Sequence, residues 1–442
     1  MKAYEEREAL REERPAKTKQ RKPPDTGWLV FAIVVFEATT LGLFALRGGS
    51  LDPVALLLAI AMPALLAVQA AILSRFFPYM DRYLFIVAHF LCALGVAMLY
   101  RLGADKGLKH FLAYALGCIC QIVALVCIAK CKEKTWWRLR FPIMGAGIVL
   151  LLAALLIGKE KFGARNWISF GAFSMQPSEF VKVAVPMALA LYLSRAKGLL
   201  PMLPAGVFAV ACALLLVLQK DLGAVLIYFS TAILMYYVAT SDWILTAVGL
   251  GAAAGGSVLS YKMFSHVRVR VAIWQNPWAT YDSTGYQMAQ SLMAIGSGGI
   301  FGMGFGNGLP RSIPVYDSDF IFAAVCEEFG MIMGLCVIAL YVLLIVRGMV
   351  LALRSRDKFS SLLAFGVTAM FAVQTFLIVG GVINMIPLTG VTLPFISSGG
   401  SSMVSCLAMV GVLCGVSATQ GQAEAAAWRA ARDRERQLEE RT

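Results

Sequence analysis

Apolar stretches long enough to cross about 30 Å of hydrocarbon at about 1.5 Å per residue recur along the whole chain. They run over roughly 28–46, 54–73, 84–100, 111–129, 141–157, 179–194, 201–218, 223–239, 244–261, 320–346, 361–383 and 400–417. Twelve such runs predict an all-α integral membrane protein, a polytopic helical bundle of about 12 transmembrane helices. One break has two readings: Gln219-Lys220-Asp221 suits either a tight hairpin between two spans or the join of two broken half-helices. Two stretches between runs are polar and rich enough to hold a site, 159–182 and 262–319.

A chain of 442 residues with 59% hydrophobic and 15% charged residues is no soluble domain around one core. Charge then orients the bundle. Lys and Arg cluster in 1–22, at Arg75 and Arg82, from Lys130 to Arg140, at Arg195 and Lys197, from Arg347 to Lys358 and after 427. Twelve spans put all of these on one side, which the positive-inside rule makes cytoplasmic, with both termini there. The segment 101–110, with Arg101, Lys106 and Lys109, breaks the rule for no reason visible in the sequence. The net charge of +13 is mostly this topology signal, with attraction to anionic membrane lipid as a secondary consequence, and nothing points to nucleic acid. Residues 1–26 carry no apolar core of a cleaved signal and read as a disordered cytoplasmic tail. The ten cysteines fall almost entirely inside spans as small core residues, and His89, His110 and His266 are too far apart to suggest a metal site.

In the first polar segment Pro177 suits a first helical turn, Glu179 beside it favours the positive end of the helix dipole, and Lys182, three residues on, can pair with it. That pair closes a helix end or serves a substrate. Pro186 on the same face predicts a bend. In the second segment Arg268 and Arg270, if extended, face one way and can clamp a phosphate or pyrophosphate. Glycines at 296, 298, 299, 302, 304, 306 and 308 let backbone approach a bulky ligand, or simply bend. The segment ends in Tyr316-Asp317-Ser318-Asp319-Phe320, and a carboxylate at the edge of an apolar run needs a functional or structural reason. Glu327 lies about 12 Å deeper along the following helix and about 80° around from Asp319, with Glu328 on the other side. Glu37, inside the first span, suits a bond to a neighbouring helix or a proton relay.

Six motifs occur in order over about 160–402. They are Gly163-Ala164-Arg165-Asn166-Trp167, Gln176-Pro177-Ser178-Glu179 with Lys182, Gln219 to Gly223, and Tyr286-Gln287 with Gln290-Ser291. Asp319-Phe320-Ile321-Phe322 with Glu327-Glu328 follows, then Pro387 to Phe395 ending in Ser397-Ser398-Gly399-Gly400-Ser401-Ser402. In this set the chain closely resembles the shape, elongation, division and sporulation family of bacteria, whose members include FtsW, RodA and SpoVE. The resemblance implies a peptidoglycan glycosyltransferase that polymerises lipid II at the outer face of the cytoplasmic membrane, beside a class B penicillin-binding protein. It marks Asp319 as catalytic and places Arg165, Trp167, Glu179, Lys182, Gln287, Gln290, Ser401 and Ser402 among the substrate-binding positions. The family's usual ten spans would occupy 84–417 with a large extracellular loop over 262–319, leaving a cytoplasmic tail over 1–27, two extra helices over 28–73 and a charged cytoplasmic tail over 418–442.

The chain departs from the family's patterns in places. Gln-Pro-Asp-Leu-Gly-Thr reads Gln219-Lys220-Asp221-Leu222-Gly223-Ala224, the Glu and His expected before Asp319 are missing, and Ser398 stands where a Tyr is common. The implied reaction joins a sugar hydroxyl to C1 of another disaccharide with inversion, which calls for one base and for positive charge at the departing pyrophosphate. Asp319 is the candidate base and Asp317 the alternative; Arg268, Arg270, Arg165 and Lys182 are the candidate cations, ahead of Lys220 and Lys262. A divalent ion at the pyrophosphate is chemically compatible, although no ligand set for it is evident. Two rival readings remain: a lipid II flippase, and a non-catalytic scaffold for the penicillin-binding protein.

Overall fold

A computed structural model describes residues 26–46, 51–161, 164–170, 173–196 and 198–440, and in it the apolar runs are helices. Helices α1 (Gly27–Leu46) and α2 (Pro53–Phe76) form a hairpin, followed by α3 (Arg82–Leu102), α4 (Ala104–Lys130), the short α5 (Glu133–Arg138) and α6 (Arg140–Ile157). Strands β1 (Lys159–Lys161), β2 (Ala164–Phe170) and β3 (Phe173–Met175) make a small antiparallel sheet before α7 (Pro177–Leu193). Next come α8 (Leu203–Leu218), α9 (Leu222–Thr240), α10 (Trp243–Met263), α11 (Ser265–Gln275) and α12 (Tyr286–Gly298), then α13 (Ile321–Arg354), α14 (Lys358–Val382) and α15 (Gly400–Glu440). Among the described residues eleven helices are long and apolar enough to cross a membrane. The 17 residues of α7 sit at the lower end of the crossing range. The expected N-terminal tail lies, but for Thr26 and Gly27, outside the described residues.

Burial runs opposite to that of a soluble protein. Helix α10 buries none of its residues, and Leu156, Val207, Leu214 and Trp243 present large apolar side chains outward, which only hydrocarbon can cover at this scale. The centre is built from α3, α7, α14 and α15, buried along most of their apolar lengths. Helix α15 lies against α4 so closely that a Cβ on Gly411 would enter the backbone of Gln121. Small residues at such crossings supply the dispersion contacts that hold membrane helices together. The expected boundary at 418 is a change of burial and not of backbone: α15 continues as one helix to Glu440 but is buried only as far as Ala418.

The tertiary structure settles the break between α8 and α9 and fills in the second polar segment. Gln219-Lys220-Asp221 is a tight turn, with Lys220 at φ 60 and the Gln219 Nε2 donating to Leu151 O at 2.8 Å, so α8 and α9 pack as a hairpin rather than as half-helices. The stretch 262–319 has internal structure, folding α11, α12 and 3-10 turns at Pro277–Thr280 and Pro310–Ser312. Its glycines serve a backbone contact with a helix. Helix α13 breaks at Gly330, where φ is 82, and the break is bridged by Met303 N to Glu327 O (2.9 Å), Gly304 N to Glu328 O (3.0 Å) and Met331 N to Gly299 O (2.9 Å). A Cβ on Gly302 would strike the Phe329–Gly330 backbone.

Local pairing accounts for two of the three cations that broke the positive-inside pattern. Arg101 donates to Gly306 O (2.8 Å) and Gly308 O (3.1 Å) and pairs with Glu328 at 3.1 Å, while Lys106 pairs with Asp317 at 2.7 Å. Each charge is matched locally by a carboxylate, so neither needs the other side of the membrane. Glu327 and Glu328 accept the N–H groups of Leu309 and Gly306, both at 3.0 Å, and so hold the glycine-rich strap.

Candidate active site

A cavity of about 1580 Å³ lies among α8, α9, α10, α11 and the segments before α13 and after α14. Its polar end is lined by Asn166, Gln176, Lys220, Asp221, His266, Arg270, Tyr286, Gln287, Asp317, Asp319, Thr389 and Ser398. The other end is an apolar trough lined by Val210, Leu214, Leu226, Phe229 and Tyr261, several of which are also exposed on the bundle surface, so the trough opens sideways.

The sheet and the α8–α9 turn build one wall. β2 hangs on that turn through Arg165 N to Gln219 O at 3.0 Å. Asp221 caps α9 by accepting from Ala224 N at 3.1 Å, and its other oxygen accepts from Asn166 Nδ2 at 2.8 Å and Gln176 Nε2 at 2.9 Å. Trp167, on the same strand, also lines the cavity.

Asp319 stands opposite, two residues before α13, with Ser318 Oγ donating to its Oδ1 at 2.9 Å. Burial raises its carboxyl pKa above the usual value, against the Ser318 hydrogen bond and the Arg270 charge, which both pull it down. Arg270 is itself anchored, Nη1 donating to Leu388 O at 3.2 Å. The guanidinium and the carboxylate face each other across the space that Gly390 leaves free. Gly390 has φ 73, and a Cβ there would come within 3.1 Å of Arg270 Nη2 and 3.6 Å of Asp319 Oδ2, which is why a glycine suits this turn. Burial lowers the Arg270 pKa, and the charges of Asp319 and Asp221 oppose that.

Of the positions singled out in the sequence, Asp319, Asp317, Arg270, Lys220, Trp167 and Gln287 line this cavity. The others do not line it. Arg268 and Arg270 lie on a helix and not on an extended strand, so two residues turn them about 200° apart; Arg268 is exposed and donates to Lys262 O at 2.8 Å. Arg165 is exposed on β2. Glu179 and Lys182 are buried together behind the wall, Lys182 Nζ donating to both carboxylate oxygens (2.8 and 2.7 Å) and to Gln374 Oε1 (3.0 Å). Gln374 in turn donates to Thr392 O at 2.7 Å, so the pair braces a cavity-lining residue from α7 through α14. Gln290 donates to Tyr281 OH at 3.0 Å, Ser401 accepts from Gln176 N at 3.2 Å, and Ser402 bonds Thr392 Oγ1 at 2.9 Å.

Asp221, Asn166 and Trp274 are among the lining residues that the sequence did not single out for a role. The polar break between two apolar runs was the available signal for Asp221. Among the described residues no group of three or more His, Cys, Asp or Glu is placed to hold a metal ion.

The profile of the cell cycle protein family named for FtsW, RodA and SpoVE matches residues 81–422, leaving α1 and α2 outside the matched stretch. The peptidoglycan glycosyltransferase RodA of Mycobacterium tuberculosis strain H37Rv is 35% identical over 376 residues, covering 78% of this chain and 79% of the relative. Stage V sporulation protein E of Bacillus subtilis is 36% identical over 309 residues (67% and 83%). The chain of a peptidoglycan synthase complex that coordinates polymerisation and crosslinking superposes with a TM-score of 0.67 at 26% identity, covering 77% of this chain and 98% of that one. The rod shape determining protein RodA of Thermus thermophilus gives 0.58 at 26% identity (76% and 96%).

Proposed function

We infer that this chain, which belongs to the FtsW, RodA and SpoVE family of cell cycle proteins, is a peptidoglycan glycosyltransferase of the membrane, and we propose that it polymerises lipid II with Asp319 as general base. The observation that carries the mechanism is Asp319 facing Arg270 at the polar end of a cavity whose other end is an apolar trough. Asp319 takes the proton of the acceptor sugar hydroxyl as that oxygen attacks C1 of the donor. Arg270 meets the pyrophosphate as the C1–O bond breaks and negative charge collects there. The trough suits the polyprenyl chain, and Trp167 and Trp274 offer ring faces for a sugar. One base on the hydroxyl and direct departure of the pyrophosphate give inversion. The likeness to a chain of a peptidoglycan synthase complex supports a class B penicillin-binding protein as partner.

A flippase carries its site near the midplane, whereas Asp221 and Asp319 here sit at helix starts. Detergent separates the two readings, because a solubilised transporter has no two sides to connect. Purified chain with lipid II and its cognate penicillin-binding protein should make glycan strands; no polymer from that mixture would remove the enzyme reading.

Orientation is tested separately. In a variant depleted of its ten native cysteines, a single cysteine at Ser283, which lines the cavity, should react with an impermeant maleimide added outside cells. One at Ser355, after α13, should be protected. Equal labelling would overturn the assignment of the site to the outer face.

A further inference from the structure

The loop that carries Asp319 is held in an unusual shape by few contacts. Val315, a β-branched residue, has φ 57, a conformation that costs energy and persists only where surroundings enforce it. Two enforcing contacts come from the segment after α14: Ser398 N donates to Asp317 O at 2.7 Å, and Ser397 Oγ donates to Ser318 O at 2.6 Å. The third comes from α4. Lys106 Nζ pairs with Asp317 Oδ2 at 2.7 Å, donates to Tyr316 OH at 3.3 Å, and lies 4.5 Å from the centroid of the Tyr316 ring.

We propose that Lys106 is a positioning residue for the glycosyl transfer, holding Asp319 in place through Asp317 and cancelling the charge that Asp317 would otherwise present to it. This rests on the glycosyltransferase reading, with Asp319 as base. Lys106 is not among the cavity-lining residues, so it acts through another residue and not on substrate.

The charged groups around Asp319 make the electrostatic half specific. Arg270 from α11 lowers its proton affinity and Asp317 raises it. Asp221, Lys220 and His266 line the same cavity from the α8–α9 turn and α11. Among the described residues only Lys106 pairs with Asp317. Without Lys106, Asp317 is an uncompensated negative charge two residues from Asp319. Like charge favours the protonated acid, and a protonated Asp319 cannot act as base. Activity should then recover only at higher pH.

The side chains of Lys106 and Asp317 are 39% and 23% exposed. A pair this open contributes little to stability, so variants should unfold at the parental temperature while changing the reaction. With full-length purified chain, its penicillin-binding protein partner and lipid II, Lys106→Met should lower kcat roughly ten- to a hundredfold, as misplacement of a catalytic group does, and should move the acid limb of the kcat–pH profile upward. Lys106→Arg should restore both. Adding Asp317→Asn to Lys106→Met should return the limb without returning the full rate, because the charge is gone but the tether is still cut. A Lys106→Met enzyme with parental rate and parental limb overturns the proposal. So does a slowed enzyme whose limb has not moved, since a purely structural role would do that. If the parental chain makes no polymer, the glycosyltransferase reading itself fails, which is a different result.

Discussion

Asp319→Asn should slow glycan polymerisation by roughly 100- to 10,000-fold, or about 3–5 kcal/mol of barrier, because it removes the proton acceptor while keeping the size of the side chain. The half-buried carboxyl is at the polar end of the cavity, with Ser318 Oγ 2.9 Å from one oxygen and Arg270 across the space beside Gly390. An amide can still accept the Ser318 hydrogen bond, so folding and membrane insertion should be unaffected. Asp317→Asn should cost far less, since Asp317 is tied to Lys106 at 2.7 Å and serves to place its neighbour. Strand synthesis by the purified protein, read on a gel, decides the matter; normal polymer from Asp319→Asn would mean that the base lies elsewhere. The pH profile carries a sign as well. Burial raises the Asp319 carboxyl above the usual carboxylate value, and only the ionised form is a base, so activity should rise with pH through a limb above the ordinary carboxylate range.

Arg270→Gln should be the second large effect, roughly a hundredfold in rate, the usual consequence of losing one preorganised group at a developing negative charge. Its neighbour is the control. Arg268 is exposed and bonded to the Lys262 carbonyl, outside the cavity, so Arg268→Gln should leave the rate close to parental. Losing Arg270 should also move the acid limb upward, because its charge pulls the Asp319 pKa down against burial. If the two substitutions slow the reaction equally, the separation of these arginines by the helix is irrelevant and the assignment to the leaving group fails.

Much of this protein is legible from local pattern alone. A membrane span needs about 20 apolar residues whose backbone bonds close within the segment, so each predicted run has its helix, from α1 through α15. Asp319 was legible too, as a carboxylate at the start of an apolar run within a recognisable set of motifs. What the sequence could not carry is which residues converge. The rotation that sends Arg268 to solvent and Arg270 to the cavity depends on α11 being a helix inside what reads as a loop. Its eleven residues, two of them arginines, are too short and too charged to give a span signal. The burial of Glu179 and Lys182 behind the wall depends on Gln374 of α14, 192 residues away from Lys182. Asp221 joins the site because Asn166 and Gln176, on or beside a three-stranded sheet too short to read from pattern, are bonded to its carboxylate. The cations at 101 and 106 look misplaced along the chain and are matched only in space, by Glu328 and Asp317. Hydropathy is a property of neighbours in sequence and therefore sets the spans. Charge pairing and cavity lining are properties of neighbours in space, which only the packed bundle decides.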